Sequence, residues 1–459
     1  MVGGAHLRRA CIIDLQAGLF GYTVAFTGST LSAMSSATDL CPSDEVCSRA
    51  AFVAAVAPLA AMVASVGAGR LTDMVGRKNY LMVVSLVWVV GYGTIASATN
   101  FAGLVGGRAV TGVAMGATSV GVPVYVTELS PPDLRGPLGG VFNVAISTGI
   151  LCVFALGVRG CEGGWWRSMA AFGCVPALVA LVCLACDLVP ESPRWLASKG
   201  RSEEARRVAE LLFGRETKEA RALVEDAVAV PKEGVKLSGG PQTPSFRSRA
   251  VFVGVGVICC FVASGNNVIQ AYMDVILEAA GASSSTATLG AVSFAATQLL
   301  GAVAMAAGVI QAFGRRPLLL TSSIGASASL AAMAFAASKE MGLLAILAAD
   351  CFIACVTLGL STLSWVYAAE VFPDAIRGRA MAAATIAFWG CTFLFIESFD
   401  VVSGAITIPG VLGVFAALSL ASALFVFFFV IETRHKSLNE VQALFAAPLL
   451  PEERAPLLV

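Results

Sequence analysis

The chain has 459 residues, of which 57% are hydrophobic and only 13% charged, with a formal net charge of zero. A soluble globular chain is nearer a quarter charged, so the bulk of this one is solvated by lipid. Its basic residues are scattered singly or in pairs, it has two His, and it shows no metal-ligand spacing; these facts argue against a nucleic-acid surface, a metal enzyme and any cofactor-dependent chemistry.

Crossing the ~30 Å hydrocarbon layer takes about 20 mainly apolar residues per helix. About twelve such segments follow in order: roughly 11–34, 50–69, 80–98, 101–127, 137–158, 165–189, 249–275, 286–311, 317–337, 342–369, 379–402 and 405–431. They are rich in Gly, Ala and Ser, which lets helices approach closely, and they lack strand-type alternation. The first is too long for a signal peptide and reads as a retained span. Gly3 is not at the myristoylation position. Most of the 13 Cys sit singly in apolar runs as small hydrophobes. Cys41 and Cys47 differ: both fall in the first outside loop, where a disulfide can form.

With the N-terminus inside, most Lys and Arg fall on the cytoplasmic side, and Arg49, Arg159, Arg167 and Lys339 fall outside. The positive-inside rule therefore places both termini in the cytoplasm. Residues 190–248 form a polar connection. Ser202-Glu203-Glu204 opens a helix with early acids, with Leu211, Leu212 and Phe213 as its apolar face. A second helix is expected from Thr217 to about Ala229, and Pro231 to Pro244 is rich in Gly, Pro and Ser.

Three charged signatures recur about 240 residues apart. Gly76-Arg77-Lys78 matches Gly314-Arg315-Arg316. Glu128 with Arg135-Gly136 matches Glu370 with Arg377-Gly378, and Glu191-Ser-Pro-Arg194 is echoed by Glu432-Thr-Arg434. Co-linear repeats of this kind imply two six-helix halves with a solute site between them. The expected fold is an all-α membrane protein of twelve transmembrane helices: an N-terminal half (1–189), a cytoplasmic helical linker (190–248), a C-terminal half (249–431) and a cytoplasmic tail (432–459).

On these motifs the chain resembles the sugar porter family of the major facilitator superfamily. Gly69-Arg-x-x-Asp73-x-x-Gly76-Arg77-Lys78, Pro123 to Gly136, Pro190-Glu-Ser-Pro-Arg194, Trp365-Val-Tyr-Ala-Ala-Glu370 and Glu432-Thr-Arg434 carry the resemblance over nearly the whole sequence. It implies that Asp73, Arg77, Glu128, Arg135, Glu191, Arg194, Glu370, Arg377 and Glu432, all at cytoplasmic helix ends, pair across the two halves as a gate that breaks when the carrier turns inward. Asp73 has Gln311 as its counterpart, so the two gates are expected to be unequal.

A site for a polyol combines amide hydrogen-bonders with aromatic platforms. The resemblance registers Asn143, Asn267, Trp365 and Trp389 at such positions, and Gln298 lies next to one, which is Leu299 here. The glutamine pair that the family places before Ser264-Gly265-Asn266-Asn267 is Phe261 and Val262 here, which weakens a claim for glucose. Pro-x-Pro in the tenth span becomes Thr362 and Ser364, so the usual break there should be less marked. Proton coupling needs a membrane-embedded group that cycles between charged and neutral. The family position for it, after Phe20-Gly21-Tyr22, is Thr23, which leaves Arg108 without its usual acid. Asp274, Asp350, Glu397 and Asp400 keep another proton route open.

The expected function is transport of a monosaccharide or polyol by alternating access, as a uniporter, with no enzymatic chemistry. Alternatives are a proton-coupled symporter, a carrier of a non-sugar solute, and a sugar sensor. The implied partners are the solute and the bilayer, not nucleic acid. The membrane is the plasma membrane or, from the dileucine-like Glu453-Arg-Ala-Pro-Leu457-Leu458, an endosomal or vacuolar one.

Overall fold

A computed structural model describes residues 2–35, 50–131, 134–158, 165–213, 244–373, 376–434, 440, 441 and 445. Cys41 and Cys47, the second linker helix, the C-terminal dileucine and the side chains of Arg135, Gln311 and Arg377 lie outside the described residues.

Every regular element among the described residues is helical. This is what a chain solvated by lipid requires, because only within helices do its own carbonyls satisfy all the backbone N–H groups. The N-terminal segment comprises α1 (Val2–Ser35), α2 (Ala50–Val75), α3 (Arg77–Ala96), α4 (Phe101–Leu129), α5 (Arg135–Gly157), α6 (Trp165–Ala185) and the short α7 (Pro193–Ser198) and α8 (Ser202–Phe213). The C-terminal segment comprises α9 (Pro244–Ala263), α10 (Asn266–Ala271), α11 (Met273–Ala279), α12 (Ser284–Ala304), α13 (Arg315–Ser338), α14 (Gly342–Val356), α15 (Thr362–Val371) and α16 (Arg377–Phe429).

Eleven helical stretches of the described residues are long and apolar enough to cross a membrane. The last, Gly378–Phe429, has 52 residues, a length of about 78 Å at 1.5 Å per residue and more than twice the hydrocarbon thickness. It is broken at Thr407, whose φ is 64°, just before Pro409.

One expectation about the spans needs correction. The run 249–275 is not one helix: Gly265 takes φ 76° and separates α9 from α10. Where Pro-x-Pro is lost, the helical span continues from Gly342 to Val371 with a π-type turn at Thr357–Ser361, in keeping with a less marked break.

Small residues set the helix distances. A Cβ on Gly21 would overlap the Ile146 carbonyl, and one on Gly149 the Gly18 carbonyl, so α1 and α5 pack backbone to backbone. The two segments meet where α16 lies along α2 and α12 along α5. They also touch where Gly28 of α1 abuts the Gln270 carbonyl, and near the charged helix ends, where a Cβ on Gly140 would lie 2.8 Å from that of Ala306.

The first linker helix forms as expected, with Glu203 and Glu204 in its first turn. Its buried face is Ala205, Ala209, Leu212 and Phe213, while Leu211 is 63% exposed. A 3.6-residue period puts Leu211 on the opposite side from Ala209, which corrects the reading of three consecutive apolar residues as one face. The helix is tied to α1: the Leu212 carbonyl lies 3.0 Å from His6 Nε2, and the His6 ring stacks on Phe213 at 5.8 Å.

Candidate functional site

Two regions concentrate polar chemistry. The first is a pair of charged knots at related helix ends. Gly76, at φ 94° and ψ 159°, turns α2 into α3. The Glu191 carboxylate accepts the N–H groups of Arg77 (3.0 Å), Lys78 (3.2 Å) and Ser192 (2.8 Å). A carboxylate here satisfies orphan donors of the α3 N-terminus and meets the positive end of its dipole. The Arg77 guanidinium forks onto Glu128, Nε to Oε2 and Nη2 to Oε1, both at 2.9 Å. Its Nη1 lies 3.0 Å from Asp73, and Lys78 pairs with Asp187. Burial pushes the Glu191 carboxyl above the ordinary carboxylate range, opposed by the three N–H donors and the Arg77 charge.

The second knot repeats the first. Gly314 takes φ 80° and ψ 167°. The Glu432 carboxylate accepts N–H groups of Arg315 (3.0 Å), Arg316 (3.0 Å) and Arg434 (2.8 Å). Arg315 donates to Glu370 at 2.9 Å through one nitrogen, and the other Glu370 oxygen accepts from Thr433 Oγ1 at 2.6 Å. Even the tyrosine braces correspond: Tyr125 donates to the Pro190 carbonyl at 2.6 Å, and the Tyr367 hydroxyl accepts the Ile431 N–H at 3.1 Å.

These pairs do not bridge the segments. Among the described residues Arg77, Glu128 and Glu191 bond within the N-terminal segment, and Arg315, Glu370 and Glu432 within the C-terminal one. In this conformation each of these acids is engaged by its own knot. Arg194 is exposed and forms no ion pair among the described residues.

The second region is a small cavity between the segments. Thr23, Thr27 and Arg108 line it from one side, and Asn267, Trp389 and Thr392 from the other. Asn267 Nδ2 donates to Thr392 Oγ1 at 3.1 Å. Thr23 Oγ1 donates to the Leu19 carbonyl at 2.8 Å and lies 2.7 Å from the Tyr92 hydroxyl. Arg108 donates from Nε to the Val53 carbonyl and from Nη1 to the Thr23 carbonyl, both at 3.1 Å.

Of the residues expected to contact solute, Asn267 and Trp389 reach this cavity. The other three are placed beside it. Gln298 is buried and accepts from Gln270 Nε2 at 3.2 Å, and Gln270 also donates to Asn266 at 3.3 Å. Trp365 packs edge-on against Phe388 at 5.3 Å, which in turn meets Trp389 at 4.8 Å. Asn143 is half-buried on α5 and does not line the cavity.

Sequence reasoning missed Thr27 and Thr392. Their spacing gave the signal, since each lies three or four residues from a residue already singled out and so shares its helix face. It also missed Asp14, which is buried in α1 with both carboxyl oxygens lacking a hydrogen-bond partner. Asp350 accepts from Ser293 at 3.2 Å, and none of Asp274, Asp350, Glu397 and Asp400 lines the cavity.

The profile of the sugar (and other) transporter family matches residues 10–445. The facilitated trehalose transporter Tret1 of Bombyx mori is 29% identical over 438 residues, covering 92% of this chain and 83% of that protein. Probable polyol transporter 4 of Arabidopsis thaliana is 30% identical over 404 residues, covering 84% and 75%. Among solved structures, the major facilitator superfamily proton:xylose symporter XylE bound to 6-bromo-6-deoxy-D-glucose aligns with a TM-score of 0.78 at 23% identity, covering 97% of this chain and 100% of that one. The inward-open xylose transporter XylE from E. coli aligns equally well, at 0.78 and 23%, covering 95% and 98%. At that identity the likeness is one of fold.

Proposed function

The chain belongs to the sugar (and other) transporter family of membrane-spanning carriers, and from that premise we propose that it moves a small polyhydroxylated solute by alternating access, down its gradient. The observation that carries this reading is the cavity lined from both segments, with amides and hydroxyls for solute hydroxyl groups and the Trp389 ring for an apolar sugar face. Reading the kinked stretch 378–429 as two crossings makes twelve, six before the linker and six after it. The basic residues then place both termini and the linker in the cytoplasm.

Passive transport is favoured by Thr23, which cannot ionise and whose hydroxyl is already bonded to Leu19 and Tyr92. A relative is named a facilitated transporter, although a structural neighbour is named a proton symporter. Uptake into proteoliposomes should proceed without a proton gradient, and uphill accumulation that an uncoupler abolishes would reject uniport. One observation favours proton coupling instead: Asp14 is a buried carboxyl with no partner, hence a group that can cycle between charged and neutral. An Asp14→Asn carrier that still accumulates solute uphill would exclude that route. Counterflow exchange of any solute removes the sensor reading.

A further inference from the structure

Arg108 is 1% exposed and faces the cavity. Its hydrogen bonds go to two backbone carbonyls, Val53 and Thr23, and its guanidinium carbon lies 5.9 Å from the centre of the Phe26 ring. These partners orient the group, but none carries a full negative charge. Among the described residues no carboxylate lies within ion-pair distance of it. A charge in the hydrocarbon layer costs at least ~2.5–3.5 kcal/mol and is kept where it meets a counter-charge, a ligand or water.

The opposite wall carries no charge: Asn267, Thr392 and Trp389 line it. Trp389 Nε1 is a buried donor with no acceptor, and Asn267 already uses Nδ2 on Thr392. Thr23 offers Arg108 its carbonyl, not a carboxylate. The cavity therefore has a buried cation on one wall and uncharged amide, hydroxyl and indole groups on the other.

The geometry points to an acidic sugar as the preferred solute: a polyol bearing one carboxylate, which pairs with Arg108 while its hydroxyls meet Asn267 and Thr392 and its ring face meets Trp389. Guanidinium binds a carboxylate with charge-assisted, oriented hydrogen bonds. An inorganic anion shares the charge but brings no hydroxyls for Asn267 and Thr392 and no ring face for Trp389. The inference rests on the transporter reading above and narrows its substrate.

The test uses the full chain in proteoliposomes at pH 7, in chloride-free zwitterionic buffer, with counterflow of labelled D-glucuronate compared with D-glucose. The expected result is an apparent KM at least about tenfold lower for D-glucuronate, a preference that Arg108→Gln removes and Arg108→Lys partly keeps. If the variants do not fold, the wild-type chain decides. A singly charged solute should accumulate about tenfold under an inside-positive potential of about 59 mV, whereas D-glucose should not accumulate. Exchange of D-glucose alone, equal exchange of both, a preference that survives Arg108→Gln, or no potential-driven accumulation overturns the inference and leaves the transporter reading standing. Stimulation of D-glucose exchange by added chloride, with no D-glucuronate exchange, assigns the site to an inorganic anion and also overturns it. No exchange of either sugar overturns the inference and leaves the transporter reading to a wider panel of solutes.

Discussion

The charged knots and the cavity treat ionised groups in opposite ways. In the knots, Arg77 and Arg315 each face a carboxylate, and Glu191 and Glu432 each cap the start of the next helix with accepted N–H groups. In the cavity, Arg108 has only carbonyls and Trp389 Nε1 has no acceptor. Saturated charge makes each segment's helix ends a rigid unit. Unsaturated donors belong where a ligand completes the set. The two knots also differ from each other, since Arg77 grips Glu128 with two bonds and Arg315 grips Glu370 with one.

The largest effect that would sharpen this contrast is expected at the first knot's glycine. Gly76 holds a backbone conformation essentially confined to glycine, and a Cβ there would run into Glu191 and lie 3.2 Å from Trp195. Gly76→Ala should cost about 3 kcal/mol or more and give the largest drop in melting temperature of the purified protein. Gly314→Ala should cost less, because the clash with Glu432 is looser at 2.8 Å. Gly69→Ala meets nothing within 4 Å and should leave melting unchanged. A Gly76→Ala protein as stable as Gly69→Ala would break the account of the knot.

Next comes the buried fork. Glu128→Gln leaves the Arg77 guanidinium with the exposed Asp73 as its remaining ion pair, and breaking a largely buried pair costs roughly 3 kcal/mol. Glu370→Gln removes one charged contact with more exposed partners, so roughly 1–2 kcal/mol is expected. The same melting series checks the order, and equal losses would mean that the two knots are energetically alike.

A smaller effect should appear in the cavity and in a different readout. Asn267→Ala removes a hydrogen-bonder without disturbing a charge, so apparent KM should rise about fivefold, about 1 kcal/mol, while melting stays within error of wild type. Unchanged KM would detach Asn267 from the solute. The smallest effect belongs to Asp73. Its side chain is 71% exposed and it pairs with Arg77 across the Gly76 turn, and exposed pairs are worth about 0–1 kcal/mol. Asp73→Asn should therefore change transport and stability little, even though its sequence counterpart is the neutral Gln311. A severe transport defect in that variant would return Asp73 to a gating role.

Much of the frame was legible in the sequence, because lipid solvation forces long apolar helices and the charged repeats recur at one offset. Partners within the knots were less legible. Nothing in linear spacing reveals that Glu191 caps the α3 N-terminus and not a basic residue of the other segment, since both choices put the acid at a helix end. The break at Gly265 and the π-type turn at Thr357–Ser361 were hidden because apolar composition continues through both. In the cavity, Asn267 and Trp389 were found by registration with a family pattern. Thr27, Thr392 and Asp14 were not, because a hydroxyl or a single acid in an apolar helix looks the same whether it faces a cavity or its own backbone. Trp365 and Gln298 were drawn toward the solute by the same registration, yet the structure gives them Phe388 and Gln270 as neighbours.

The central claim is that a solute crosses through the cavity between the segments without being driven by protons. It is tested most directly by counterflow of labelled monosaccharides and polyols in proteoliposomes, run with and without an imposed proton gradient. The account predicts exchange of at least one such solute at the same initial rate in both conditions, with no accumulation above the external concentration. Exchange that requires the gradient, or no exchange across the whole panel, would contradict it.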